Sequence, residues 1–155
     1  IGEAPGYNGC RWTGIPFTAE KNIKIEYKKD YLFGLNNGYQ IRYANNSQSE
    51  ASATIFWEYF KLKNIFPLIW NAFPFHPHLE NDTESNRKPI KSELEYGKDA
   101  LVELIKIFNI KNLIAVGNTA HETLNKLGIN CSKIRHPANG GKSKFISGLD
   151  NELSR

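Results

Sequence analysis

The sequence predicts an α/β fold of three layers, with a central, mainly parallel sheet covered by helices on both faces. Three observations predict it. After residue 47 the pattern alternates helix, strand, helix, strand, helix, strand, helix, the succession that builds parallel sheets from crossover units. The candidate strands are short continuous apolar runs, as strands buried on both faces are. Each then breaks into a loop of Pro, Gly, Asn or His, where open α/β sheets commonly hold ligands.

The chain opens with Gly2-Glu3-Ala4-Pro5-Gly6 and, after a gap, Gly14-Ile15-Pro16-Phe17. Glycine permits close backbone approach and proline fixes φ, so this stretch reads as a loop rather than a packed helix or a central strand. Ile1 reads as the last residue of the buried strand that the loop leaves. From residue 18 to 46, Ile23, Ile25 and Tyr27 alternate, as do Tyr39, Ile41 and Tyr43, around the turn formers Gly34, Asn36, Asn37 and Gly38. A hairpin and an irregular excursion carrying aromatics both fit.

Ser47 and Glu50 have capping-box spacing, and Ile55, Phe56, Tyr59 and Phe60 share one helical face, which predicts a helix over about residues 48–62 that Asn64 ends. Phe66 to Trp70 reads as a buried parallel strand with Pro67 near its start. Residues 76–91 are polar and predict a surface loop. A second capping box, from Ser92 to Glu95, starts a helix running to about Phe108. Leu113 to Val116 is a buried strand closed by Gly117-Asn118. Thr119 then caps a short helix ended by Gly128, a left-handed C′ residue. Cys131 to Arg135 is the third strand of this half, and Lys142 to Leu153 the last helix.

Composition narrows the classes of function. The 155 residues fit one domain, residues 1–155, with a substantial core. With no Met and an abrupt start at Ile1, the chain reads as lacking an N-terminal part. No apolar run approaches the ~18 residues of a membrane span, so no membrane partner is expected. Two cysteines, Cys10 and Cys131, are too few for a disulfide framework, which suits an intracellular, cytoplasmic setting. The net charge of +4 is compatible with a polyanionic partner. His76-Pro77-His78 has His-x-His spacing, but no Cys or third His stands near it in sequence, so no metal is expected there. Ser132 and Ser143 near His136 lack a Gly-x-Ser-x-Gly elbow, which removes the serine-hydrolase reading.

Gly2 to Gly6 with Gly14 to Phe17, Asn71-Ala72-Phe73-Pro74, His136-Pro137 and the stretch from Leu113 to Ala120 occur in an order that resembles the uracil-DNA glycosylase superfamily. The resemblance is to the bacterial and archaeal branches with a first motif of this type, those often carrying an iron–sulfur cluster. It spans nearly the whole chain, and it implies a monomeric enzyme that hydrolyses uracil, or another damaged base, out of DNA in base excision repair. By the resemblance, Phe17 is the platform on which the extruded base stacks, and Asn71 reads the amide edge of the base with one donor and one acceptor. His136 steadies the charge that grows on the leaving base. The backbone of Gly2, Ala4, Pro5 and Gly6 lies along the base and sugar, Glu3 stands near the attacking water, and Lys142 and Lys144 meet phosphates.

This chain departs from the relatives at identifiable places. Ala4 occupies the position of the water-activating Asp of the best-known branch, which leaves Glu3 as the motif's carboxylate. Asn8, Gly9 and Cys10 replace acidic residues. Ala138-Asn139-Gly140-Gly141 supplies no apolar wedge, which suits single-stranded DNA better than duplex. Two cysteines cannot build a four-cysteine cluster, and no cofactor is expected. Plainer readings stand beside these: Glu3 capping loop amides, Phe17 as ordinary core, Asn71 bridging a turn, His136 as a structural loop residue. The rival functions are a catalytically weak or inactive module of the same fold that binds nucleic acid or a nucleobase, and an unrelated nucleotide- or phosphate-binding α/β protein.

Overall fold

The computed structural model describes residues 1–25, 32–42 and 47–154. In chain order these form α1 (Cys10–Thr13), α2 (Glu20–Ile23), a 3-10 turn (Leu35–Asn37), α3 (Ala51–Lys63) and α4 (Lys91–Ile107). Then follow β1 (Ile114–Val116), α5 (Asn118–Lys126), β2 (Ser132–Ile134) and α6 (Lys142–Leu153).

The sheet is small and parallel. β1 and β2 pair in register, Ile114 with Ser132 and Val116 with Ile134. Two shorter extended segments continue this array through backbone hydrogen bonds. Val116 N–H donates to Ile1 O at 2.8 Å and Ile1 N to Ile114 O at 2.8 Å, so Ile1–Gly2 lies beside β1. On its other side Gly2 N–H donates to Trp70 O and Ala72 N–H to Gly2 O, both at 2.9 Å, with Gly2 and Asn71 in a parallel bridge. Across the array the segments therefore run 70–72, 1–2, β1, β2. The first and second segments in sequence turn to opposite sides, which makes a topological switch point beside Ile1–Gly2.

Two apolar clusters cover the two faces and establish the three layers. Ile114, Val116 and Ile134 pack with Phe56, Trp57 and Phe60 of α3 and with Phe145 and Leu149 of α6. Ala115 points the other way and packs with Leu101 of α4 and with Ala120 and Leu124 of α5. The alternation along β1 is the period-two geometry of a strand.

Several elements differ from expectation for definable reasons. Residues 66–69 form no regular strand: Pro67 has no N–H to give, and pairing with the first segment begins only at Trp70. Gly2 pairs inside the sheet, and residues 10–13 make one helical turn that ends at Gly14 with φ 70°, so the opening stretch is not loop throughout. Ile23 is helical rather than extended. The hairpin residues Tyr27 and Tyr43 lie outside the described residues. The Ser47–Glu50 box does not form; α3 begins at Ala51 with no side-chain cap, because the Glu50 carboxylate is turned toward the Gly6–Gly9 loop instead. The second box is displaced: Glu93, not Glu95, accepts the Ile90 N–H at 2.8 Å, and α4 starts at Lys91. Gly117 rather than Thr119 precedes α5. Asn64 (φ 54°) and Gly128 (φ 70°) do end their helices left-handed, and α6 has the predicted bounds.

Candidate active site

The four carboxyl ends of the sheet segments open into one cavity of about 750 Å³. Gly2, Glu3, Ala4, Pro5 and Gly6 line it from the first segment, Asn71 from the second, Gly117 from the end of β1 and His136 from beyond β2. Phe17 lines it too. Every residue that the sequence proposes for base binding or catalysis is therefore on this wall. Lys142 and Lys144 are not. They sit at the start of α6, and Lys142 Nζ lies 3.3 Å from Glu58 Oε2 in an exposed ion pair, a kind worth little in stability.

Phe17 is at once core and wall. Its ring stacks on Phe56 with centroids 4.7 Å apart and planes 7° from parallel, so α3 backs it rigidly. Gly2 passes against the ring edge, where a Cβ would come within 2.7 Å of Phe17 Cζ and would also collide with Asn71 Oδ1. Only glycine lets the sheet segment approach this closely.

Asn71 is 4 % exposed, and its Nδ2 donates to Cys10 Sγ at 3.6 Å. Burial, reinforced by the nearby Glu50 carboxylate, pushes the Cys10 thiol up to about 12. It is therefore a neutral thiol rather than a nucleophile. In native protein at pH 8, iodoacetamide is expected to leave Cys10 unlabelled, with labelling appearing only in denaturant. Peptide mass spectrometry reads this, and labelling of the native thiol would contradict it.

His136 Nδ1 accepts the Ala138 N–H at 3.2 Å. A backbone amide can only donate, so the neutral ring carries its proton on Nε2. Burial, and then the Arg135 charge, lower the affinity of the ring for a second proton. The turn that supplies this contact folds back tightly. A Cβ on Gly141 would collide with His136 O, which explains a glycine there.

The Glu3 carbonyl accepts the Phe73 N–H at 3.0 Å, which ties the first-motif loop to the segment after Asn71. The Glu3 carboxylate makes no hydrogen bond to loop amides among the described residues. The loop is held from outside by His76, whose ring nitrogens lie 2.8 Å from Pro5 O and 3.2 Å from Thr83 O. Sequence reasoning missed Cys10, Glu50, Asn86, Lys88 and Arg135, which also line the cavity. Glu50 was disguised by its capping-box spacing, and Asn86 and Lys88 by a polar loop that folds over the site. Arg87 also lines it, with its guanidinium bonded to both Glu93 oxygens at 2.7 Å.

No curated protein matches this chain. The family model of the Uracil DNA glycosylase superfamily matches residues 1–149, almost the full sequence and all the segments that build the cavity. The chain is a member of the uracil-DNA glycosylase superfamily.

Proposed function

We propose that the protein hydrolyses the N-glycosidic bond of uracil, or of a related deaminated base, in DNA. Superfamily membership supports glycosylase-type chemistry in general. The observation that carries the finer reading is the meeting of Phe17, Asn71 and His136 on one cavity at the switch point.

The chemistry follows from those groups. An extruded base stacks on Phe17, and the Asn71 carboxamide meets its amide edge. As the C1′–N bond breaks, its electron pair moves onto the base and negative charge grows on a carbonyl oxygen. A neutral imidazole with its proton on Nε2 is a suitable pre-placed donor to that oxygen. Water, oriented by Glu3 as the motif carboxylate, then bonds to C1′ and loses a proton, which ends on the departing base anion. Lys88 and Arg135 bring positive charge to the cavity wall for the DNA phosphates, and Lys142 and Lys144 extend it along the flanking helix.

The test is an oligonucleotide with one deoxyuridine, single-stranded or paired with guanine, followed by hot alkali to cut abasic sites. Cleavage is expected, with single strands preferred. The pH profile should reflect His136. Its depressed pKa keeps the neutral donor present below the ordinary histidine value of about 6.5, so the acid limb falls off below that pH. No cleavage alongside retained DNA or uracil binding would establish the non-catalytic module instead.

A further inference from the structure

A second hollow, of about 760 Å³, lies against the first-motif loop, and Pro5 and Cys10 border both it and the candidate active site. Three elements build its wall. α1 supplies Arg11 and Trp12, the chain after Asn71 supplies Phe75 and His76, and α4 supplies Tyr96. The chemistry proposed above uses none of these aromatic rings.

The rings are exposed where ordinary packing would cover them. Phe75 is 56 % and Tyr96 68 % exposed, with centroids 6.0 Å apart and planes tilted by 43°. Phe73, 7 % exposed, meets Phe75 edge to face at 5.8 Å and backs it from the core side. Single exposed apolar residues are ordinary, but contiguous aromatics in a hollow mark a contact surface. Arg11 lays its guanidinium over the Trp12 ring, 4.1 Å from the centroid, and the Arg42 guanidinium stands 4.6 Å from the same centroid. Among the described residues no Asp or Glu lines this hollow, whereas Glu3 and Glu50 line the candidate active site. Two N–H groups of its wall residues, Arg11 Nε and Trp70 Nε1, are shielded and have no partner among the described residues. Both call for an acceptor that the chain itself does not supply.

We propose that this hollow binds nucleotides of a single DNA strand next to the one extruded into the cavity, with a base stacked on Phe75 and Tyr96. The choice of DNA rests on the base-excision reading above. Grooves for single strands combine aromatic platforms with positive charge, because every base has a face to stack and every phosphate a charge to meet. Phe75 and Tyr96 supply the platform, and Arg11 and Arg42 the charge. The shielded donors suit base carbonyl or phosphate oxygens. Because Pro5 borders both hollows, a strand with one base in the cavity has its next nucleotides within reach of the rings. The bases of a duplex are stacked on one another, so these platforms favour single strands. That agrees with a loop after His136 that carries no apolar wedge.

The test measures, by fluorescence anisotropy, binding of an oligothymidine of about 15 nucleotides, near the upper site size of single-strand binding folds. A Phe75→Ala, Tyr96→Ala double variant is expected to bind about 10- to 100-fold more weakly than wild type, the usual effect of removing stacking platforms. Tyr96→Ala alone, at the more exposed ring, should show part of the loss. Tyr96→Phe keeps the ring and should stay within about threefold of wild type. In the uracil-release assay the double variant should raise KM and leave kcat nearly unchanged, because a stacked neighbour is held equally before and during bond breaking. Abasic analogues on one side of the deoxyuridine should cost wild type a similar factor. They should cost the double variant little, since both changes remove one contact.

Equal affinity of wild type and double variant for the oligothymidine would overturn this inference, and uracil release unaffected by the substitutions would leave the glycosylase reading intact. A loss confined to kcat would make the rings supports of the first-motif loop and overturn it as well. Equal DNA affinity with a dimeric wild type and a monomeric double variant would make the patch a protein contact instead. Ring-dependent DNA binding without uracil release would support the hollow and overturn the glycosylase reading.

Discussion

Replacing His136 by Ala is expected to lower the rate of uracil release by about 10²- to 10³-fold, the usual cost of deleting one pre-placed donor to a developing oxyanion. The effect should appear in kcat more than in KM, because the donor matters most when the base carries charge. Part of the ring's preparation is local. The Ala138 N–H on Nδ1 fixes the tautomer, and burial with Arg135 keeps the ring neutral. His136→Asn, which still has an N–H to give, should recover part of the loss if it reaches the same oxygen. Single-turnover measurements at pH 7.5 decide it. A His136→Ala protein within about threefold of wild type would remove this residue from the mechanism, since the expected loss for such a donor is far larger.

The largest expected effect on stability lies outside the cavity, at Gly97 in the second turn of α4. In an exposed helix Gly→Ala stabilises by roughly 1 kcal/mol through backbone entropy. Here the sign should reverse. A Cβ at Gly97 would collide with Ala72 O and stand 3.2 Å from Ala72 C and 3.3 Å from Phe73 Cα, all backbone atoms with little freedom to yield. Overpacking of this kind costs about 1–3 kcal/mol or more. A fall in melting temperature of about 2–12 °C is expected for Gly97→Ala in a domain of this size. Because Ala72 follows Asn71, lifting α4 also displaces the carboxamide, and base release should weaken although no cavity residue has changed. Thermal unfolding followed by circular dichroism reads the first effect; a higher melting temperature would refute the packing argument.

These two sites illustrate how unevenly the sequence discloses the structure. His136 was legible because Pro137 and the glycines after it mark a loop leaving an apolar run. Gly97 was not, because a glycine inside a helical pattern has several explanations until its neighbour is known. Phe17 was legible as an aromatic beside Gly-Ile-Pro, but its rigid backing by Phe56 depends on a contact between residues far apart in sequence. Asn71 could be placed at the end of an apolar run. That Cys10 holds it could not, since nothing local relates the two residues.

What the sequence by itself determined is what local chemistry controls. The bounds of α6, the left-handed ends at Asn64 and Gly128, the apolar face of α3 and the order of the loops follow from residue type and spacing. Helix–strand alternation was enough to predict the layers. Tertiary structure decided where alternatives lay within about 1–2 kcal/mol, as a helix cap does. Ser47 and Glu50 had cap spacing, yet the carboxylate faces Gly6 and Gly9 because those residues, forty positions earlier, leave room for it. Residues 66–69 were apolar enough for a strand, but strands need backbone partners, and only Trp70 to Ala72 meet Ile1–Gly2. Local preferences are read along the chain, whereas burial and backbone pairing are settled by segments that meet only in the folded protein.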